Sequence, residues 1–399
     1  MTQPAGNVRY LGMPILRHAV PALLLASLAA PLAAQTPLDE AKAHLAKARS
    51  LAGMQFLTTE EIQCNELGGG DPYAGYEKED RVTPAKVFDN LYYIGTKGVG
   101  SWVVKSSSGI ILINAMHTGW VNSTLLPGFK KLGLNPADVV YVIVTQGEGD
   151  HFGGAKYFQD KYDAQVVMSS ADWDWLTRLG AGRGGRGRSG SDSAGRAGGR
   201  GTSGGGGQGG GMGGRGGMGG GRGGMGGRGG GGFGGGGSRG GEQGRGTAPK
   251  SESLDDAPRR NQVALDGQTF TVGDQTVTVM LTPMTTPGSL SVIIPVTDHG
   301  EPHVAALLGA TEIPRSNGMK TEYITSVTHL AEIATARHVD VELNSRPFVD
   351  NAIARMDSLQ HAKPGQRNPF LIGTDGFQKF IGMIGECGWV DLLHPREPM

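Results

Sequence analysis

Several chemistry-bearing motifs are missing from the 399-residue sequence. It has no Gly-x-Ser-x-Gly elbow, no cysteine beside a histidine and no phosphate-binding loop, and so it offers no familiar serine, cysteine or phosphoryl-transfer site. It has only two cysteines, Cys64 and Cys387. They allow a single disulfide, but sequence alone does not show whether they pair. No transmembrane segment is expected in the mature protein, because the most apolar run is too short to span a bilayer.

The N-terminus has the composition of an export signal. Arg9 and Arg17 precede an apolar run over 19–30, and small residues at 33–34 suit cleavage. Residues 1–34 are therefore predicted to be a signal peptide, with an ordinary buried helix as the alternative. The mature protein is predicted to be periplasmic or secreted, in an oxidising compartment.

Residues 180–246 are rich in Gly-Gly-Arg and Gly-Gly-Met and contain few apolar side chains. Such a segment buries too little apolar surface to offset its chain entropy, and it is predicted to be a disordered insert. It holds ten arginines and two acids, about +8, whereas the rest of the mature chain is near −10. An Arg-Gly segment can bind nucleic acid or another polyanion, but Phe233 is its single aromatic. Because export also removes most such partners, a nucleic-acid partner is not expected.

Outside these segments, strand-like and helical patterns alternate in two similar halves, which favours one layered α/β core. Residues 35–84 are predicted to form an N-terminal helix and loop, and residues 85–399 a single domain interrupted by the insert. The predicted strands are 88–94, 101–105, 109–114, 139–144, 165–169, 262–265, 268–272, 275–281, 290–296 and 303–308. The predicted helices are 35–63, 121–132, 153–162, 171–179, 319–337, 347–361 and 374–386.

The most informative segment is residues 139–158, which read VVYVIVTQGEGDHFGGAKYF. A buried strand runs into a short loop from Thr145 to His151 and then into a helix. This context, with its Asp-His-Phe-Gly-Gly ending, resembles the metallo-β-lactamase superfamily, whose loop reads T/S-H-x-H-x-D-H-x-G-G, and subclass-three-like β-lactamases in particular. The resemblance implies an α/β fold, the αββα four-layer metallo-β-lactamase sandwich, with a metal cleft along one edge.

The resemblance also implies six ligands for two zinc ions, and four of these positions have changed. In the motif loop, Gln146 and Glu148 stand where the family has histidines, while Asp150 and His151 match its pattern. Where relatives often have I-L-I-D before the loop, this chain has Asn114 at the place of the acid.

The two remaining ligand positions lie in the second half of the chain. Thr285 in MTTPGS stands at the histidine of a G-H-T-P-G-S segment. Arg346 in DVELNSRPFVD stands at the histidine of a D-V-x-L-S-N-H-P-F-V-D segment. A hydroxyl is a weak zinc donor and a guanidinium cannot ligate a metal. At about 4 Å the arginine would repel a divalent ion by roughly 8 kcal/mol, so we expect it to pair with Asp150 or Glu148 instead.

These changes predict impaired dinuclear-zinc hydrolysis and a binding or scaffold role, with a small-molecule ligand in the cleft. Asp150 is the one candidate catalytic base, although an adjacent arginine would weaken it. The alternative is a mononuclear hydrolase of ester, lactam or lactone bonds, in which Glu148, Asp150 and His151 hold one manganese or iron ion. His117 could join that site. A third interpretation makes Asp150 a helix cap and His151 structural. The predicted cofactor is thus none or one divalent metal, and the sequence does not define the oligomeric state.

Overall fold

The computed structural model describes residues 36–64, 80–184, 257–310, 312–363 and 365–395. The predicted signal peptide and most of the predicted insert lie outside these residues, and both remain predictions. Within the described residues, every helix is too short or too polar to cross a membrane.

The first sheet has seven strands, adjacent to one another in chain order. They are β1 (Ala85–Lys86), β2 (Leu91–Gly95), β3 (Gly100–Lys105), β4 (Ile110–Ile113), β5 (Val139–Ile143), β6 (Gln165–Ser169) and β7 (Gln262–Ala264). The strands from β1 to β4 pair antiparallel, and those from β4 to β7 pair parallel. Because β4 and β5 run in the same direction, the segments that follow them leave the sheet at one edge.

The second sheet has five strands in the order β12-β11-β10-β9-β8. They are β8 (Thr269–Val272), β9 (Gln275–Leu281), β10 (Leu290–Asp298), β11 (Glu301–Leu307) and β12 (Val341–Leu343). The short β12 pairs parallel with β11, whereas the other pairs are antiparallel.

Helices pack against both sheets. The helices of the described residues are α1 (Pro37–Ala52), α2 (Leu57–Cys64), α3 (Leu126–Lys131), α4 (Gly149–Phe152), α5 (Ala155–Tyr162), α6 (Ser170–Gly184), α7 (Asn317–Ala336), α8 (Ala352–Gln360) and α9 (Gly373–Leu393). The α8 helix contributes Ala352 and Met356 to the central core. The central core lies between the sheets and contains Trp102 and Val292. The α3 and α5 helices pack on the first sheet through Phe129 and Phe158. The α1, α2, α7 and α9 helices form a layer on the second sheet. The predicted αββα sandwich is confirmed.

The N-terminal prediction of one helix over 35–63 is wrong. The chain forms α1 and α2 instead, because Gly53 adopts a positive φ of 51° and its N–H caps the carbonyl of Arg49. Glycine adopts a positive φ without the steric cost that other residues meet, so the helix can end here. The start of α1 is fixed by Thr36, whose side chain exchanges hydrogen bonds with Asp39 in a capping box.

Other predicted boundaries also differ. The α6 helix continues to Gly184, five residues into the predicted insert. The helix predicted from 347 begins at Ala352, because Asn351 has a φ of 59° and Asp350 Oδ1 accepts the Ala352 N–H. The helix predicted over 121–132 begins instead with a π-helical turn at Val121–Leu125. The predicted strands of both sheets are present with small shifts of their ends.

The sequence left the pairing of the two cysteines open, and the structure joins Cys64 at the end of α2 to Cys387 in α9. Both residues are buried, and 323 positions separate them in the chain. The disulfide therefore ties the N-terminal helices to the last helix of the fold.

Candidate functional site

The cleft begins where β4 and β5 end side by side. Asn114 follows β4 in a left-handed conformation, with φ at 61°. Its Oδ1 accepts hydrogen bonds from the N–H of Thr145 at 2.9 Å and from the Thr145 hydroxyl at 3.1 Å. A single side-chain oxygen therefore holds the start of the motif loop, and here an amide supplies that oxygen where the resemblance implies a carboxylate. This contact explains how the loop keeps its place although the family's acid is replaced.

The motif loop places three metal-ligating groups together. Glu148 lies at the N-cap of α4, and Asp150 and His151 lie within this single helical turn. One ligand atom from each of the three lies within 4.8 Å of the others. The N–H of Ala115 donates to the His151 carbonyl at 2.8 Å, which fixes the turn against the segment after β4.

Arg346 enters the cluster from the loop after β12. Its Nη1 lies 2.9 Å from Asp150 Oδ2, and its Nε lies 2.9 Å from Glu312 Oε1. Its Nη2 lies 3.9 Å from Glu148 Oε2. Only 8% of the arginine side chain is exposed, so it makes these ion pairs where water screens them little.

Glu312 also contacts Arg346, although nothing in the sequence marks it as a site residue. This residue lies in the loop between β11 and α7, and no motif marks it. Its carboxylate pairs with Arg346, and its backbone carbonyl accepts a hydrogen bond from the Thr285 hydroxyl at 3.2 Å. Thr285 thus braces the loop that carries Glu312, and its hydroxyl is already engaged.

Gln146 lies at the buried side of the cluster. Its Nε2 donates to Glu148 Oε2 at 3.1 Å and lies against Nε2 of His151. The remaining polar atoms of this pair, Gln146 Oε1 and His151 Nδ1, are buried and find no hydrogen-bond partner among the described residues. Burial lowers the pKa of His151 to about 4; the charge of Asp150 opposes this shift, whereas Arg346 and His117 add to it. The imidazole is therefore neutral near pH 7 and adds no charge to the cleft.

The carboxylates next to Arg346 have opposite pKa shifts. Burial raises the pKa of Asp150, but Arg346 and the nearby histidines outweigh it and hold the pKa at about 2. For Glu148, burial and then the charges of Asp150 and Glu312 raise the pKa to about 8, against the opposing effect of Arg346. Because Asp150 has the shorter contact with the guanidinium, it is the acid that remains ionised.

A second buried acid connects the motif loop to the segment that contains Thr285. Asp172 in α6 accepts hydrogen bonds from the Thr286 hydroxyl at 2.9 Å and from the N–H of Gly288 at 3.0 Å. Burial raises the pKa of Asp172 to about 6, while the bonds from Thr286, Gly147 and Gly288 lower it. Sequence reasoning did not identify this residue, although an acid in the first turn of a helix is a recognisable feature.

Two aromatic side chains border the cluster. The rings of His117 and Trp120 meet edge to face at 4.7 Å between centroids. His117 contributes to the lowered pKa values of Asp150 and His151, so it lies close to both. Both rings are partly exposed, so they are accessible from solvent.

This arrangement does not fit two zinc ions. Arg346 and Thr285 stand at two of the implied ligand positions. Arg346 forms ion pairs with two carboxylates, and the Thr285 hydroxyl donates a hydrogen bond to a carbonyl. Gln146 presents its N–H groups to Glu148 and His151, and an N–H group is not a metal ligand. Three ligands, Glu148, Asp150 and His151, remain for one ion.

The fold and motif loop define the class of the protein. Residues 101–298 match the family model described as "Metallo-beta-lactamase superfamily", and the chain belongs to this superfamily. No curated protein matches the chain significantly.

Solved structures agree on the fold. BJP-1, a subclass B3 metallo-β-lactamase of Bradyrhizobium japonicum, is 20% identical with a TM-score of 0.50, covering 77% of this chain and 92% of its own. A mutant of the metallo-β-lactamase FEZ-1 from Legionella gormanii is 18% identical with a TM-score of 0.54, covering 80% of this chain and 98% of its own. At these identities the likeness shows the shared fold alone.

Proposed function

We propose that this chain is an exported binding protein built on a metallo-β-lactamase fold, and that it does not perform dinuclear-zinc hydrolysis. The observation that carries this proposal is the pairing of Arg346 with Asp150 and Glu312, each at 2.9 Å. A tethered organic cation supplies positive charge at a place where the family resemblance implies a metal. The arginine does not bind and activate a water molecule as a metal ion does. It therefore keeps the positive charge of the site without supplying the chemistry of hydrolysis.

The acids of the cluster do not replace the missing chemistry. A general base works best with a pKa near the working pH. The pKa of Asp150 is about 2, so this carboxylate is always ionised but is a poor proton acceptor. Glu148 has a pKa of about 8, so most of it is protonated at neutral pH and cannot accept a proton there. The cluster is therefore suited to binding.

The charge of the cleft indicates what it binds. Asp150 and Glu312 present two carboxylates to the single charge of Arg346, and Glu148, whose pKa is about 8, adds most of its negative charge only above neutral pH. Glu148 and Glu312 are 36% and 23% exposed, so they are reachable from solvent. Such a cleft attracts cations and repels anions. We infer that its ligand is a small molecule with a positively charged group, and that the nearby His117 ring contacts it.

A mononuclear metal-dependent hydrolase is the second candidate, and one observation favours it. Glu148, Asp150 and His151 already have ligand atoms within 4.8 Å of one another. Two carboxylates with one imidazole suit manganese or iron better than zinc. This function requires Arg346 to leave Asp150, at the cost of separating a mostly buried ion pair.

Metal analysis and hydrolysis assays on the oxidised protein distinguish the two candidates. We expect neither tightly bound zinc nor metal-stimulated hydrolysis of ester, lactam or lactone substrates. The fourfold reversion Gln146→His, Glu148→His, Thr285→His and Arg346→His serves as the positive control, and we expect it to bind zinc. If the unmodified protein shows hydrolysis that is abolished by a chelator and by Asp150→Ala, the binding proposal is wrong and the mononuclear hydrolase is correct.

A further inference from the structure

The position of Arg346 depends on a short turn after β12. The N–H of Arg346 donates to Asn344 Oδ1 at 2.9 Å, and the Arg346 carbonyl accepts the N–H of Val349 at 3.0 Å. These bonds define the turn locally, but neither of them attaches it to the rest of the fold. The start of the turn is held by β3, because the Asn344 carbonyl accepts a hydrogen bond from Trp102 Nε1 at 2.8 Å and the Ser345 carbonyl accepts the N–H of Gly100 at 2.9 Å. The other side of the turn, after Arg346, is held by the contacts of Phe348 and Val349.

The α2 helix provides these contacts. The Thr59 hydroxyl donates to the Val349 carbonyl at 2.6 Å, and both residues are buried. Ile62, one turn further along α2, packs with Phe348 and Val349 in a small apolar cluster separate from the main cores. One hydrogen bond and one apolar contact thus attach α2 to the turn that carries Arg346.

The α2 helix is itself attached to other helices near both of its ends. It has eight residues, and a helix this short is not stable alone. Cys64, its last residue, is disulfide-bonded to Cys387 in α9. Near its start, Glu60 pairs with Arg49 of α1 at 3.4 Å. The helix is therefore a fixed support on which the turn rests.

We propose that α2 is a positioning element for Arg346, and that Thr59 is its principal positioning residue. The inference rests on the proposed function, in which Arg346 excludes divalent ions from Glu148, Asp150 and His151. When the turn is attached to α2, the guanidinium stays between its carboxylates. When the attachment is weakened, Arg346 leaves them more often, and the three ligands become available to a metal ion. The affinity for a divalent ion therefore reports the position of the arginine.

The test compares two variants of Thr59 in the oxidised, full-length protein. Thr59→Val keeps the shape of the side chain but removes the donor, whereas Thr59→Ser keeps the hydroxyl. The measurement is calorimetric binding of Mn²⁺ and Zn²⁺. We expect Thr59→Val to bind these ions about fivefold more tightly than the parent protein, which corresponds to the loss of one buried hydrogen bond. Thr59→Ser should stay close to the parent. Ile62→Ala weakens the apolar contact between α2 and the turn, and it should shift the affinity in the same direction as Thr59→Val.

A double-mutant cycle separates positioning from general loosening. Arg346→Ala should bind the ions more tightly than any variant of Thr59, and adding Thr59→Val to it should have no further effect. The matched control is Val327→Ala in the core between α7 and α9, which should lower stability without raising metal affinity. An unchanged affinity in Thr59→Val, or an equal gain in Val327→Ala, overturns the proposal. A parent protein that already binds metal tightly refutes the proposed function instead, so the two failures are distinguishable.

Discussion

Replacing Arg346 with methionine should show how strongly the acidic cluster depends on this one cation. Methionine fills similar space but leaves Asp150, which is 16% exposed, without its partner at 2.9 Å. Breaking a buried ion pair by removing one member typically costs about 3–5 kcal/mol, because the remaining charge is left in a poorly solvated place. We therefore expect Arg346→Met to lower the free energy of unfolding by about 3 kcal/mol or more at neutral pH.

The loss should depend on pH in a defined direction. In the parent protein the pKa of Asp150 is about 2, below the unfolded value of about 3.9. A carboxyl pKa lowered by this amount contributes about 2–3 kcal/mol of stability, which is present above about pH 4 and is lost as the pH falls through 2. In Arg346→Met, burial is no longer opposed by the guanidinium, so the pKa of Asp150 rises above the unfolded value. The variant then loses stability as the pH increases, and its deficit should be largest at neutral pH.

Urea unfolding followed by tryptophan fluorescence, with a chelator present, measures this deficit at about pH 7 and about pH 4. Arg346→Lys should show an intermediate loss, because lysine keeps the charge but cannot bridge two carboxylates with a planar group. Asp150→Asn, added to Arg346→Met, should restore part of the stability by removing the unpaired charge. Unchanged stability in Arg346→Met at neutral pH, or a loss of equal size at both pH values, would refute the reasoning.

Three further predictions concern the supports of the cleft. The raised pKa of Asp172, about 6, means that its contribution to stability falls by about 3 kcal/mol as the pH rises from 4 to 7, and Asp172→Asn should remove this fall in urea unfolding curves. Gly288→Ala should lower the free energy of unfolding, measured by urea unfolding, by about 3 kcal/mol, because the added Cβ would lie 1.9 Å from Ser169 Oγ and 2.6 Å from the Asp172 backbone nitrogen. Cys64→Ser with Cys387→Ser should lower the free energy of unfolding by about 2–5 kcal/mol, and reducing agent should then have no further effect on the melting temperature.

The sequence predicted the scaffold well because local patterns specify most of it. The apolar run at 139–144 and the polar loop behind it identify a buried strand that ends at a cleft. Glycine and aspartate pairs mark hairpins such as the one at Gly273, whose φ is 54°. The residue substitutions that matter most, Arg346 above all, are also visible in the sequence, because the motif around each position is preserved.

The sequence could not predict the partners that tertiary structure assigns. Glu312 stands in a loop without a motif, and it becomes important only because folding brings its carboxylate to Arg346. The pairing of Cys64 with Cys387 depends on how α2 and α9 pack across 323 positions of chain. The break between α1 and α2 arises at Gly53, in a stretch whose apolar spacing alone favours one continuous helix.

A charge carried by a side chain differs physically from a charge carried by a bound ion. The occupancy of a metal site depends on the metal concentration around it, whereas Arg346 is always present at its own site. An incoming dication must separate the arginine from Asp150 and then tolerate a guanidinium nearby, since the side chain is only 8% exposed. Restoring histidines at Gln146, Glu148 and Thr285 would therefore leave the second metal position blocked. Under the proposed function, the arginine therefore prevents dinuclear metal binding even when these histidines are restored, and its ion pair gives Asp150 a structural role.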